Sequence, residues 1–287
     1  MIRKSSEAIP RRSKIGSPMP PYLIGKVFIP LWGTILMIVL KIGGSAITDK
    51  TKYAAANRKG INAVSSAIAG AWKKGIRDIV VVHGAGSFGH PQVERYKIKK
   101  GIRGEREMLG FASTHSSVSY LSSLVVNALI KNGVPAISIP PVALICQKKG
   151  RIVSFDEEPV NALLESGYLP VLYGDMVLDS AVKGSVCSGD QIAAYLGKKA
   201  EKVIFASNVD GILAKGKIVP VITKKNRKKV LREIGGAKGI DVTGGMRGKV
   251  KELMKIKTPS YIVNALRPER VSALLLGKKA VCTKIML

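Results

Sequence analysis

Residues 38–45 read Ile38-Val39-Leu40-Lys41-Ile42-Gly43-Gly44-Ser45. A short β-branched and aliphatic run that ends in Lys and a Gly pair is the pattern of a buried strand feeding a Gly-rich loop. The same pairing recurs downstream. Asp78–His83 runs into Gly84-Ala85-Gly86-Ser87-Phe88-Gly89-His90, and Leu169–Tyr173 runs into Gly174-Asp175. Lys202–Ser207 runs into Asn208-Val209-Asp210-Gly211. Ser188-Gly189-Asp190 and Thr243-Gly244-Gly245-Met246 each open a helical pattern.

Between these segments the hydrophobic period alternates. Strand-like runs are expected at Ile35–Leu40, Asp78–His83, Ala136–Pro140, Leu169–Tyr173, Lys202–Ser207, Tyr261–Asn264 and Val281–Ile285. Helical patterns are expected at Lys59–Lys74, Glu105–Lys131, Pro159–Glu165, Asp190–Leu196, Gly245–Ile256 and Pro268–Leu276. Strands separated by helices predict an α/β fold with a largely parallel central sheet. Two hairpins are expected within it, Leu144–Phe155 and Gly211–Ile222. In open sheets of this kind, ligands gather beyond the C-terminal strand ends, where the Gly-rich loops fall.

Composition narrows the function classes. The chain has 287 residues and 46% hydrophobic content, enough for a sizeable core and too apolar for a disordered basic tail. It carries 47 Lys+Arg against 19 Asp+Glu, a net charge of +28. Such a balance suits nucleic acid, an acidic membrane surface or small phosphorylated substrates. Cys146, Cys187 and Cys282 are scattered and form no CxxC or Cys/His cluster, so neither a disulfide framework nor a zinc site is expected, and a cytoplasmic location is the default.

Residues 1–36 differ from the rest. Arg3, Lys4, Arg11, Arg12, Lys14 and Lys26 face only Glu7, and five prolines break any helix. The apolar stretch Val27–Leu40 is shorter than the roughly 20 residues of a membrane-spanning helix. A signal peptide there would cut away the first strand. Residues 1–36 therefore read as a basic extension, with a possible true start at Met37, and residues 37–287 as one domain.

The loops carry the chemistry. Glycine admits a phosphate close to the backbone, and successive N–H groups and helix N-termini bind anions. Several such loops at one sheet edge suggest a polyphosphate and a second phosphorylated ligand. Gly84–Gly89 formally matches G-x-G-x-x-G, but it follows the second strand, and Glu105 and Glu107 open a helix instead of closing a strand. No Walker A spacing exists around Gly248-Lys249.

In their order and spacing these segments resemble the amino acid kinase superfamily, and His83–Pro91 (HGAGSFGHP) resembles its isopentenyl phosphate kinase branch. Leu40–Ser45 with Thr48-Asp49-Lys50, Ser188–Asp190, Asn208–Gly211, Asp241–Met246 (DVTGGM) and Lys249 complete the likeness over residues 37–287. The resemblance implies an open αβα sandwich, a homodimer, and ATP-dependent phosphorylation of isopentenyl phosphate to isopentenyl diphosphate in isoprenoid biosynthesis. Mg²⁺ follows from the reaction class. Phosphoryl transfer to a phosphate monoester needs positioning and charge neutralisation more than a general base.

Residue by residue, the resemblance implies that Lys41 contacts the transferring phosphoryl group, Lys50 neutralises charge in the transition state, and Asp190 orients the lysines. Lys41, Gly43, Gly44, Ser45, Gly86, Gly245 and Lys249 would bind ATP. His90 would hold the acceptor phosphate, with Ala85 and Gly174 beside it. Asn208 and Leu213 replace an Asp and a Tyr common in the family, which leaves the nucleotide contact less defined. Phe111, Tyr120, Leu121, Leu124 and Val125 are candidates for the acceptor tail pocket, although most of them read more readily as ordinary core. His83 is expected at a strand end and His115 on a helix face. Competing readings are a fosfomycin-type or other small phosphate or phosphonate kinase, and a basic nucleic-acid-binding protein on a degenerate kinase fold.

Overall fold

The computed structural model describes residues 36–287 apart from 50, 215 and 235–244. Residues 1–35, Lys50 and most of the 241–246 motif thus lie outside the described residues.

The first strand, β1 (Ile38–Ile42), pairs in parallel with both β2 (Ile79–His83) and β9 (Lys202–Ser207) and is buried along its whole length. It runs two residues beyond the expected end, because Lys41 and Ile42 stay in register with Val82 and His83 on one side and with Phe205 and Ala206 on the other. Around it lies an eight-stranded sheet in the order β12-β14-β13-β9-β1-β2-β6-β3. Here β3 is Ala136–Ser138, β6 is Leu169–Tyr173, β12 is Val221–Thr223, β13 is Ser260–Asn264 and β14 is Thr283–Met286. Every pairing in it is parallel except β13 with β14.

Period-two alternation divides the sheet between two helical layers. Ile38, Leu40 and Ile42 pack with α2 (Arg58–Lys73), α4 (Glu105–Lys131) and α9 (Pro268–Leu275). Val39, Val80 and Val82 pack on the opposite face with α5 (Glu158–Glu165), α6 (Gly189–Leu196) and α8 (Gly245–Leu253). This is the expected αβα sandwich. Helix α2 buries Ile61, Val64, Ile68, Ala71 and Trp72 at helical spacing, and Asn57 caps it by accepting from the Gly60 N–H. The Glu107 carboxylate accepts from the Gly104 N–H at 3.0 Å and caps α4, as expected of an acidic helix start and not of a dinucleotide strand.

Three elements depart from expectation. The Gly-rich segment after β2 turns directly into a helix, α3 (Gly86–Arg95), which carries Pro91 inside it. Pro91 has no N–H to give the Ser87 carbonyl. That carbonyl accepts instead from the Ala54 N–H at 3.1 Å, so the helix survives its proline. Next, the expected hairpin β4 (Ile145–Lys148)–β5 (Arg151–Phe155) joins a second, unexpected one, β7 (Asp175–Asp179)–β8 (Lys183–Cys187), in a four-stranded sheet β5-β4-β7-β8. Asp179 ties the two by accepting from the N–H groups of Lys149 and Gly150 and from Ser185 Oγ. Finally, a short helix absent from the expected elements, α7 (Arg227–Glu233), is anchored by buried Val230. The expected 211–222 hairpin is confined to β10 (Leu213–Ala214) and β11 (Lys217–Ile218). A single helical turn, α1 (Gly44–Ile47), follows β1.

Candidate active site

At the C-terminal ends of β1, β2 and β6 lies a cavity of about 270 Å³. Its location follows from the topology: three neighbouring parallel strands deliver three turns to one edge. Each turn is tied to the neighbouring strand end by a backbone hydrogen bond: Gly43 N–H to Ala206 O of β9 (2.7 Å), Gly84 N–H to Ile42 O of β1 (2.9 Å) and Gly174 N–H to His83 O of β2 (2.8 Å). The glycines are sterically required where two of these turns meet. A Cβ on Gly44 would lie 2.6 Å from the Gly86 nitrogen, and Gly86 itself has φ +52°. Thr48 locks the same contact by donating to Gly44 O and accepting from the Ser87 N–H.

Alternation along β1 decides which helices Lys41 meets. It shares the face of Val39, and so points to the layer of α6 and α8. There its Nζ lies 2.5 Å from Asp190 Oδ1, while Lys249 Nζ on α8 lies 3.5 Å from Oδ2. The three side chains are only 5%, 11% and 16% exposed, so this is a largely dry pair of cations on one carboxylate. Burial alone would raise the Asp190 pKa, but the two lysines outweigh it and hold the carboxyl below its ordinary range. Asp190 is not the helix cap. Ser188 takes that place, accepting from the Gln191 N–H at 3.2 Å, which leaves Asp190 for the lysines. The Phe205 ring lies 5.6 Å from Lys41 Nζ and walls the cation on its far side.

The cavity lining gathers Lys41, Gly43, Gly44, Ser45, Gly86, Lys249 and Asp190 with Ala85, His90 and Gly174, ten of the residues singled out from sequence. His90 is half-buried in the second turn of α3. Asn208 and Leu213 do not line this cavity. Asn208 and Leu213 are exposed, one after β9 and the other on β10, and Gly245 begins α8, one turn before Lys249. Lys50 lies outside the described residues.

For most of the tail-pocket candidates the core role holds. Leu121 and Val125 are buried in the core, Leu124 packs against it, Tyr120 is 60% exposed, and Phe111 backs a small cluster behind the wall. The α4 residues that reach the cavity are Thr114 and Val118, one helical turn apart, joined by Val93, Met176 and Val186. The helix was identified but its phase was not, because α4 is apolar on more than one side. Sequence reasoning also missed a link between distant residues: His115 Nδ1 lies 2.9 Å from Asp175 Oδ2. No local signal connects positions 60 residues apart. His83 is a strand-end residue as expected, fully buried and stacked on Tyr173 at 5.4 Å.

Among the described residues no three His, Cys, Asp or Glu side chains cluster to hold a metal ion, and no helix is long and apolar enough to cross a membrane. What the cavity does offer is two cations, backbone amides of two Gly-rich turns and an imidazole. That donor set suits anionic oxygens on both sides of a transfer.

Comparison with known proteins agrees with this geometry. Residues 37–264 match the model of the amino acid kinase family. The isopentenyl phosphate kinase of Methanothermobacter thermautotrophicus is 37% identical over 268 residues, covering 87% of this chain and 98% of that protein. That of Haloferax volcanii is 31% identical, covering 84% and 96%. A solved isopentenyl phosphate kinase structure superimposes with a TM-score of 0.74 at 35% identity, covering 87% of this chain and all of the other. With this similarity along almost the whole of its relatives, the chain belongs to the isopentenyl phosphate kinases of the amino acid kinase family.

Proposed function

We propose that the protein transfers the γ-phosphoryl group of ATP to isopentenyl phosphate, giving ADP and isopentenyl diphosphate for isoprenoid biosynthesis. The observation that carries this is one cavity in which Lys41 and Lys249, bound to Asp190, share a wall system with His90, Ala85 and Gly174. The relatives' names supply the acceptor's identity.

A phosphate monoester with a second pKa of about 6 is largely dianionic near neutrality, so it is already a competent nucleophile. Two anions must be brought together against their repulsion. Lys41, at the end of β1, would sit on the transferring group, and Lys249 on the β- and γ-phosphates. Gly43, Gly44, Ser45 and Gly86 would donate backbone N–H groups to the phosphate chain. Asp190 would act as a positioning residue for both lysines. His90 would donate to the acceptor phosphate, beside Ala85 and Gly174. Lys50 would add charge neutralisation in the transition state. Gly245, Asn208 and Leu213 belong to the nucleotide's outer end. Mg²⁺, when bound with the nucleotide, would supply further charge neutralisation beside Lys41 and Lys249. Thr114, Val118, Met176 and Val186 supply apolar surface for the short hydrocarbon tail. A cytoplasmic homodimer is part of the same proposal. Met108, Leu109, Tyr120 and Ile130, all exposed along α4, are apolar surface that such a pairing could cover.

The test is an ATP/Mg²⁺ assay with isopentenyl phosphate, on the wild type and on His90→Ala. The wild type should form the diphosphate. The variant should lose acceptor kcat/KM by about 100-fold or more while its ATP affinity stays within about threefold. Turnover of glutamate or UMP with none of isopentenyl phosphate would overturn the function. Collapse of ATP binding in the variant would assign His90 to the wrong ligand.

A further inference from the structure

A carboxylate stands in the acceptor wall of a site built for anions. Asp175 follows Gly174 directly, lines the cavity, and has a side chain with no solvent exposure. An uncompensated charge there opposes the very phosphate that Lys41, Lys249 and His90 attract. Both of its oxygens are met by a single side chain from another layer. His115 Nδ1 on α4 lies 2.9 Å from Oδ2 and 3.1 Å from Oδ1, and the Met176 N–H donates to Oδ1 at 2.8 Å. His115 is itself about one-third exposed, and its neighbour Thr114 lines the cavity.

We propose that His115 and Asp175 form a proton-holding pair that cancels the charge of the acceptor wall, so that affinity for the acceptor phosphate depends on the proton they share. This rests on the kinase function proposed above. While the pair holds one proton beyond those of a neutral imidazole and a carboxylate, it is net neutral wherever that proton sits. Once the proton leaves, the wall is negative. Burial pushes the Asp175 carboxyl up to about 6 against the opposing pull of His115, which keeps the exchange close to neutral pH.

The surrounding groups leave the pair as the wall's own variable charge. Tyr173 on β6 is pushed up to about 12 by burial, and burial also pushes up the Cys187 thiol on β8. The segment at 142 contributes only the Val142 backbone N–H. Across the cavity lie Lys41 and Lys249 with Asp190, and His90 on α3. His90 and the acceptor are the same in every variant below.

The experiment measures the KM of isopentenyl phosphate, the KM of ATP, and kcat from pH 6 to 9. It compares wild type, His115→Asn, Asp175→Asn, the double variant and His115→Lys. The ratio of wild-type to double-variant acceptor KM should grow about tenfold from pH 6 to 9, because the double variant keeps the rest of the site and lacks only the titrating pair. His115→Asn keeps a donor but not a charge, so its acceptor KM should be high at the alkaline end, where Asp175 is ionised with nothing to cancel it. Adding Asp175→Asn should restore it. His115→Lys, with a fixed charge, should hold the acceptor KM low, without the wild type's rise towards pH 9. The ATP KM should not move in any variant. A pH-invariant ratio, or failure of Asp175→Asn to rescue His115→Asn, would show a mere clasp between α4 and β7 and overturn the pair. If Asp175→Asn does not fold, a His115→Lys profile that still rises like the wild type's overturns it equally. A wild type inert toward isopentenyl phosphate overturns the function and this pair with it, whereas turnover with an invariant ratio overturns the pair alone.

Discussion

Replacing Asp190 with Asn isolates the electrostatic centre of the site. The carboxylate bridges Lys41 at 2.5 Å and Lys249 at 3.5 Å, and none of the three side chains is more than 16% exposed. Solvent cannot screen such a group as it does a surface pair. Removing the anion leaves two ammonium groups converging on a neutral amide. Loss of one partner from a buried pair costs about 3–5 kcal/mol. For a domain of this size each kcal/mol is worth about 2–4 °C, so the melting temperature should fall by about 10 °C. The reaction should suffer separately. With both lysines released from a common anchor, misplacement on the order of 1 Å is enough to cost about 100-fold in rate. Urea unfolding and steady-state kinetics would measure the two effects. A third readout distinguishes electrostatics from packing. Saturating ATP brings phosphate oxygens into the place of the lost carboxylate, so the stability gap between wild type and D190N should narrow on adding nucleotide. A D190N protein within about 1 kcal/mol of wild type, with kcat within about threefold, would refute the role given to the pair. So would a stability gap that nucleotide leaves unchanged.

Two further variants address the fold beneath the site. Gly44→Ala puts a Cβ 2.6 Å from the Gly86 backbone nitrogen, where no flexible side chain can yield. The Gly-rich turns must separate, and ATP kcat/KM should drop by about 100-fold, with a smaller loss of melting temperature; near-normal kinetics would show that the turns need not touch. His83 is fully buried, its Nε2 has no hydrogen-bond partner among the described residues, and burial pulls its pKa down to about 4. Between pH 6.5 and 4 the unfolded chain therefore binds a proton that the folded chain refuses, and stability falls as pH falls, by about 2 kcal/mol at pH 5. Asp175, raised to about 6, acts in the opposite direction below that pH, so the wild-type profile alone is uninformative. His83→Phe keeps the ring stack on Tyr173, and the difference between the two proteins cancels the Asp175 contribution. Its stability relative to wild type should improve by about 2 kcal/mol from pH 8 to pH 5 in urea titrations, and a constant difference would contradict the buried neutral imidazole.

The strands and Gly-rich turns were legible because their chemistry is local. Apolar runs such as Leu169–Tyr173 and Lys202–Ser207 match the observed strands to the residue. Lys41 and Asp190 were singled out by motifs that resemble the family's, one at a strand end and one at a helix start. What stayed hidden depends on phase or on distance. Helix α4 has apolar residues on several sides, so its cavity face, Thr114 and Val118, could not be separated from its core face, Leu121 and Val125. The β7–β8 hairpin was obscured because Gly174-Asp175 reads as a loop, and its stability comes from Asp179 reaching back to the β4–β5 turn. A helix through Pro91 looks forbidden until the Ser87 carbonyl finds the distant Ala54 N–H. His115 with Asp175 belongs to the same class of tertiary facts. The +28 charge is only partly accounted for. Lys41 and Lys249 serve the cavity, whereas lysines such as Lys224, Lys225, Lys228 and Lys229 lie exposed, far along the chain from the Gly-rich turns.

The most direct measurement is a one-pot competition. Equimolar isopentenyl phosphate, fosfomycin, glutamate and UMP are supplied with limiting ATP and Mg²⁺, and the products are followed by ³¹P NMR. The geometry of His90, Gly174 and the two lysines, together with the family, predicts that the paired resonances of isopentenyl diphosphate appear first and consume the ATP. Preferential phosphorylation of fosfomycin, glutamate or UMP, with isopentenyl phosphate left intact, would contradict it.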